Sequence, residues 1–150
     1  MEESLNYVNA GAIAEERGFN VSEVSDRHSR DFTNLLTVVS KDRHGELSAG
    51  GTTIGPNNRP RLVRICRHDI GIEPAQHMAF LQYEDIPGMI GKVGTVLGDN
   101  GINVAFMNVG RRKAGGKAVM AVTLDDPISQ SVLDQISELP GFHEARAVEL

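Results

Sequence analysis

The sequence predicts an α+β protein: a mostly antiparallel N-terminal module over residues 1–76, then a βαββαβ unit over residues 77–150. Two observations support this. Up to residue 73, short runs rich in β-branched residues alternate with polar turns, which is typical of antiparallel hairpins. After a linker at Pro74-Ala-Gln76, strand patterns alternate with two amphipathic helix patterns. The βαββαβ order predicts a four-stranded antiparallel sheet with both helices on one face, the ferredoxin-like arrangement.

The first module is predicted to begin with a helix over residues 5–17, capped by Asn9 and stopped by Gly18. Its predicted strands are a weak one over Phe19–Val24, then Asp31–Ser40, Glu46–Ile54, Arg61–Arg67 and Ile70–Glu73. Residues 41–45 and 55–60 are polar or Pro/Gly-containing, and they predict turns between these strands.

The second module has stronger signals. We predict strands over His77–Glu84, Ile102–Val109, Lys117–Leu124 and Phe142–Leu150, and helices over Gly88–Gly98 and from Ser129 to Leu139. The apolar helix faces are expected to be Ile90, Val93, Val96 and Leu97, and Val132, Leu133 and Ile136. Gly91 and Gly94 share a helix face, where we expect close packing on the sheet rather than dinucleotide binding.

Composition excludes several classes of protein. The 150-residue chain carries a net charge of −5, so a nucleic-acid partner is not expected, and we expect no exposed aromatic side chains on strand Ile102–Val109. A single cysteine excludes an internal disulfide and fits a reducing compartment. No apolar run is long enough to span a membrane. These features predict a cytoplasmic protein with no membrane partner.

The turn between Tyr83 and the following helix is the first candidate site. Pro87 suits a first helical turn, Gly88 permits close approach to the backbone, and the free N–H groups that follow favour a carboxylate. Asp85 suits an ammonium group, and the Asn103 amide, expected nearby, both donates and accepts. Together they suit a small zwitterion such as an amino acid. The same residues also suit a purely structural turn, which residue chemistry alone favours.

Arginines on the predicted strand Arg61–Arg67 form a second candidate site. Arg61 and Arg67 are expected on one face, with Arg59 in the adjoining loop, where they could clamp an anion. The alternative is a charged edge strand that resists aggregation. The basic run at Arg111-Arg-Lys113 is interpreted as a solvated turn.

Catalytic and metal-binding patterns are lacking. The five histidines show no metal-ligand spacing, no serine lies in a nucleophile-elbow setting, and Cys66 is interpreted as a small buried strand residue. We therefore predict no catalytic residue and no metal site.

Several motifs in the second half resemble the ACT domain, a regulatory ligand-binding module of amino-acid metabolism. They are Asp85-Ile-Pro-Gly-Met-Ile-Gly, Leu97-Gly-Asp-Asn-Gly-Ile-Asn-Val-Ala, Gly110-Arg-Arg-Lys-Ala-Gly-Gly-Lys-Ala and Leu139-Pro-Gly. Upstream, Tyr7-Val-Asn-Ala, Ala14-Glu-Glu-Arg-Gly, Ser29-Arg-Asp-Phe-Thr-Asn-Leu, Gly50-Gly-Thr and Arg61-Leu-Val-Arg-Ile resemble the latter half of the intervening domain of long-form D-3-phosphoglycerate dehydrogenases.

The resemblance implies a serine-feedback site at an ACT–ACT interface. In that family, ACT domains pair edge to edge in a dimer, and L-serine binds between them. The effector positions that it carries over are Tyr83, Asp85, Gly88, Met89, Ile90 and Asn103, and anion binding by the intervening domain implicates Arg59, Arg61 and Arg67. It favours the functional interpretation of Asp85 and Asn103 over the structural one.

The resemblance covers no catalytic or nucleotide-binding domain. It therefore implies a regulatory segment that is no enzyme by itself and binds no cofactor, with NAD expected only on the absent catalytic domains. The effector could also be a small amino acid other than serine. The beta chain of an iron–sulfur L-serine dehydratase has a similar two-module layout and is the alternative parent.

Overall fold

The computed structural model describes residues 6–25, 32–43 and 45–150. The chain divides into two compact units, residues 1–31 and 32–150. The first contains α1 (Ala10–Glu16). The second contains β1 (Leu36–Asp42), β2 (Gly45–Ile54), β3 (Arg59–Ile65), β4 (His68–Ile72), β5 (His77–Glu84), α2 (Met89–Asp99), β6 (Val104–Arg111), β7 (Lys117–Leu124), α3 (Gln130–Glu138) and β8 (Phe142–Glu149).

Helix α1 is shorter than predicted, and Leu5, where the prediction began, lies outside the described residues. Asn9 occupies the N-cap position, but its side chain makes no capping hydrogen bond to the helix. The stop at Gly18 is confirmed by its left-handed φ of 78°. Hydrogen bonds of 2.9 Å from the N–H groups of residues 18 and 19 to the carbonyls of residues 15 and 14 complete a Schellman motif.

The strand predicted over Phe19–Val24 is wrong. These residues have no regular structure, and the side chains of Phe19, Val21 and Val24 are exposed. The apolar alternation already fails at Val24, and none of the described residues pairs with this segment, so no ladder of hydrogen bonds offsets the cost of an extended backbone.

Strands β1 to β4 form one antiparallel sheet in chain order. The prediction placed the first strand at Asp31–Ser40, whereas β1 begins at Leu36; Asp31 lies outside the described residues. The predicted strand Arg61–Arg67 ends at Ile65, because Cys66 and Arg67 both have positive φ and form a two-residue hairpin turn. Residues 68 and 69, which lie between two predicted strands, are therefore part of β4.

Strands β5 to β8 form a second antiparallel sheet in the order β6-β7-β5-β8, with α2 and α3 packed on one face. Strands β5 and β7 coincide with their predicted limits. The core under the helices is aliphatic, and Val93, Met120 and Ile136 in it are fully buried. The predicted α+β class and ferredoxin-like arrangement are confirmed.

Two details of α2 differ from prediction. Ile90 is 55% exposed rather than buried with Val93 and Leu97. Added Cβ atoms at Gly91 and Gly94 would meet nothing within 4 Å, so these glycines serve no close packing here. The close approach occurs instead at Gly110 of β6, where a Cβ would overlap the backbone oxygen of Asp69 on β4.

The other face of the second sheet is covered by the first. Ile70 and Ile72 of β4 pack against Met78, Val119 and Ala121. Strand β7 is therefore buried on both faces and belongs to both cores.

The imidazole of His68 adds a polar connection between the two sheets. Its ring nitrogens lie 2.8 Å from the carbonyl oxygen of Cys66 and 3.1 Å from that of Lys117, on β7.

Candidate functional site

A cavity of about 380 Å³ lies where β5 leads into α2. Its lining consists of Tyr83, Asp85, Ile86, Pro87, Gly88, Met89, Ile90, Val109 and Arg111. The structure thus brings together five of the six predicted effector residues, all except Asn103.

The backbone of the β5–α2 connection shapes this cavity. Asp85 donates its N–H to the Gly116 carbonyl at 2.8 Å, which fixes the chain as it leaves β5. Gly88 is the N-cap residue with a left-handed φ of 92°, a conformation that residues with a Cβ rarely adopt. A glycine cap has no side chain to bond the first turn, so the N–H groups at the start of α2 are available for an anionic group.

Two of the lining residues, Asp85 and Arg111, form an ion pair. The Arg111 guanidinium donates from Nη1 to Asp85 Oδ2 at 2.9 Å, and the side chains of Asp85 and Arg111 are 18% and 59% exposed. The interpretation of Arg111 as part of a solvated turn is wrong, because this residue is the last of β6. Strands β5 and β6 both pair antiparallel with β7, so they run in the same direction and end at the same edge of the sheet, on either side of the start of β7.

Tyr83 is a buried polar residue of the cavity wall. Its side chain is only 2% exposed, and its ring centroid lies 5.6 Å from that of Phe142. Burial raises the pKa of the phenol, the Asp85 carboxylate raises it further, and the Arg111 cation opposes both effects. The hydroxyl therefore stays protonated, and able to donate a hydrogen bond, across the neutral pH range.

Asn103 does not lie beside Asp85, contrary to expectation. It precedes β6, whereas Asp85 and Arg111 lie at the far ends of parallel strands. The eight residues of β6 separate Asn103 from the end of the strand at Arg111, a distance of roughly 25 Å at about 3.3 Å per residue. Its Nδ2 instead donates to Asp125 Oδ2 at 2.6 Å. A helix that connects parallel strands returns the chain to the start of the sheet, not to the end where it left.

The predicted anion-binding arginines do not converge. Arg67 lies in the β3–β4 turn and pairs with Glu46 at 2.6 Å, so it does not share a strand face with Arg61. Its hydrogen bond, together with Lys41, lowers the pKa of Glu46 despite some desolvation. Arg61 donates to the Gly71 carbonyl at 3.3 Å, and Arg59 is exposed at the start of β3. Anion binding by Arg59, Arg61 and Arg67 stays a prediction.

Sequence reasoning missed a second cavity, of about 270 Å³, between the two sheets. Its lining is almost entirely apolar and includes Val38, Leu47, Phe80, Val119 and Val148. Cys66 lines it from the turn, half-buried, rather than from within a strand as predicted.

The remaining expectations concern partners and metals. Phe106 on β6 is 48% exposed, so the expectation of no exposed aromatic there is wrong, and the prediction against nucleic acid rests on charge alone. Within residues 6–25, 32–43 and 45–150, no three His, Cys, Asp or Glu side chains group as a metal site would require. The helices of the same described residues are too short or too polar to cross a membrane.

Comparisons with known protein families match most of the chain, in two parts. The ACT domain family matches residues 77–141, and the D-3-phosphoglycerate dehydrogenase intervening domain matches residues 1–66. Curated relatives named D-3-phosphoglycerate dehydrogenase include those of Synechocystis, 37% identical, and Bacillus subtilis, 31% identical, each over 100% of this chain. The protein of that name in Archaeoglobus fulgidus is 35% identical. The chain spans only 27–28% of the length of these three relatives.

Proposed function

We propose that this chain is an amino-acid-binding regulatory segment of a cytoplasmic phosphoglycerate dehydrogenase in serine biosynthesis. The chain belongs to the ACT domain family over residues 77–141 and to the D-3-phosphoglycerate dehydrogenase intervening-domain family over residues 1–66. The ligand that we propose is L-serine. The observation that carries the proposal is the cavity at the start of α2, which places an acid, a buried phenol and free helix N–H groups around one space.

The cavity suits each polar group of serine. The Asp85 carboxylate would accept hydrogen bonds from the α-ammonium group, a charge-assisted interaction in a partly desolvated position. The N–H groups of Met89 and Ile90, behind the Gly88 cap, would donate to the α-carboxylate, which the helix dipole also stabilises. The Tyr83 hydroxyl would remain available to the serine side chain.

We propose that two copies pair through β6 and bring the missing amide to the site. Strand β6 lies at the edge of its sheet. If two such edges pair antiparallel about a twofold axis, the start of one β6 lies opposite the end of the other. The partner's Asn103 would then lie near Asp85 and Arg111, which a single copy does not achieve. Serine would thus bind preferentially to the dimer and shift the conformational population of the longer enzyme.

Catalysis would belong to other parts of that enzyme. Gly91 and Gly94 lie inside α2, so the glycines of this segment do not form the strand-to-helix phosphate cradle of a dinucleotide site. We therefore assign NAD and the dehydrogenase reaction to portions of the parent protein that this chain does not include.

Calorimetric titration with L-serine tests the proposal. We expect saturable binding to the wild type, and an affinity at least about tenfold lower in Asp85→Asn, because one charge-assisted hydrogen bond is lost. Asp99→Asn is the matched control, since Asp99 is exposed at the far end of α2. Absence of binding by the wild type at concentrations where it is dimeric would refute the proposed ligand.

A further inference from the structure

We propose that Arg111 is a specificity residue of this site, which selects ligands that carry a free carboxylate next to their ammonium group. The inference rests on the proposed function and adds to it a residue for which the sequence indicated only a solvated turn. Arg111 and Asp85 form an ion pair at 2.9 Å, and both side chains line the cavity.

The charges of the cavity are balanced. Asp85 supplies one negative charge and Arg111 one positive charge, and no other Asp, Glu, Lys or Arg lines this cavity in the described part of the chain. An acidic cavity without a cation would bind a simple amine as well as an amino acid, or better. A balanced pair instead matches a zwitterion, which is neutral overall but carries both charges.

Arg111 also has unused capacity to bind a carboxylate. A guanidinium has five N–H donors, and within the described residues Arg111 donates one hydrogen bond, to Asp85. Its side chain is 59% exposed, so it can adjust without leaving a packed core. An arginine fork binds a carboxylate through two parallel hydrogen bonds, and the start of α2 would support the same group from the helix side.

The ion pair with Arg111 stabilises the Asp85 carboxylate. That side chain is only 18% exposed, and an isolated carboxylate in such a position pays a desolvation cost. A zwitterion can enter between the two side chains and preserve the compensation of both charges. A cationic ligand can pair with Asp85, but its charge is repelled by Arg111, and this repulsion disfavours its binding.

The test compares two ligands that differ only at the carboxylate, L-serine and L-serine methyl ester, at a mildly acidic pH at which the ester is a cation. Dissociation constants of both are measured by calorimetry for the wild type, Arg111→Met and Arg112→Met. Arg112 is the matched control, because it carries the same charge one residue further along, outside the cavity lining. We expect Arg111→Met to weaken L-serine at least about tenfold while leaving the ester unchanged or tighter, and Arg112→Met to change neither.

Other outcomes would overturn the inference. If Arg111→Met weakens the binding of both ligands equally, Arg111 only maintains the shape of the cavity. If it tightens the binding of both, Arg111 competes with the ligands for Asp85. Arg111→Lys guards against a folding artefact, since it keeps the charge and should retain part of the preference for L-serine over the ester. If the wild type binds neither ligand, the proposed function itself fails. If the wild type and Arg111→Met bind L-serine equally well, only the proposed role of Arg111 fails.

Discussion

Asp85 shows how far residue chemistry alone can identify a site. Its position beside a Pro-Gly turn was visible in the sequence, and the structure places it in a cavity with four other predicted effector residues. For its cationic partner, Arg111, the sequence predicts a solvated turn, because a basic run between two strands has the same pattern whether its side chains face water or a pocket. The parallel direction of β5 and β6 could have indicated that Arg111 lies near Asp85, because it places the ends of both strands at the same edge of the sheet.

The titration of Tyr83 tests the placement of Asp85 and Arg111 beside its phenol. In a Tyr7→Phe background Tyr83 is the only tyrosine, so the ultraviolet absorbance of phenolate reports its pKa alone. We expect Asp85→Asn to lower this pKa and Arg111→Met to raise it, because the carboxylate disfavours the phenolate and the guanidinium favours it. Arg112→Met should leave it in place. Shifts of the same sign in the two cavity variants would contradict the geometry of the pair.

Glycines show that the role of a structural element is decided by what lies against it. In α2 the spacing of Gly91 and Gly94 suggested close packing, yet both face open space. The sequence does not predict the close approach at Gly110, because a single glycine in a strand pattern does not indicate which neighbour will contact it. The neighbour is β4, whose position depends on how the first sheet lies over the second.

Alanine substitutions at Gly110 and Gly94 should have opposite effects on the free energy of unfolding. Gly110→Ala places a Cβ against the Asp69 backbone oxygen and 2.8 Å from Ile70 Cγ2, so we expect destabilisation by about 1–3 kcal/mol. A Cβ at residue 94 would meet nothing within 4 Å, and alanine is favoured over glycine in the middle of a helix. Gly94→Ala should therefore stabilise the folded protein by about 0.5–1 kcal/mol. Urea unfolding measures both. Equal and small effects would show that β4 does not hold its position against β6.

At the scale of the whole molecule, β7 links the two sheets of residues 32–150. Its alternate residues belong to the core under the helices and to the core between the sheets. Loss of either core therefore exposes one face of the same strand. We infer that the two sheets unfold together, although one matches the ACT domain and the other includes residues matched to the intervening domain.

Substitution of Ile72 tests this coupling. Ile72 is 1% exposed between the sheets, and Ile72→Ala should cost about 2–5 kcal/mol. In the Tyr7→Phe background, the midpoints followed by Tyr83 fluorescence and by far-ultraviolet circular dichroism should fall together, since Tyr83 lies in the other core. Ile54→Ala, at a 45% exposed residue, is the control and should change little. A shift in only one of the two signals would indicate independent unfolding.

Local sequence patterns predict the strand–helix order of residues 77–150, the limits of β5 and β7, and the turn that carries Asp85. These depend on periodicity and on turn-forming residues a few positions apart. Which side chains meet depends on the folded arrangement of the strands: Arg111 pairs with Asp85, Asn103 lies a strand length away, and Gly110 contacts β4. Such contacts depend on the direction and order of strands that are distant in the chain, and no local pattern encodes them.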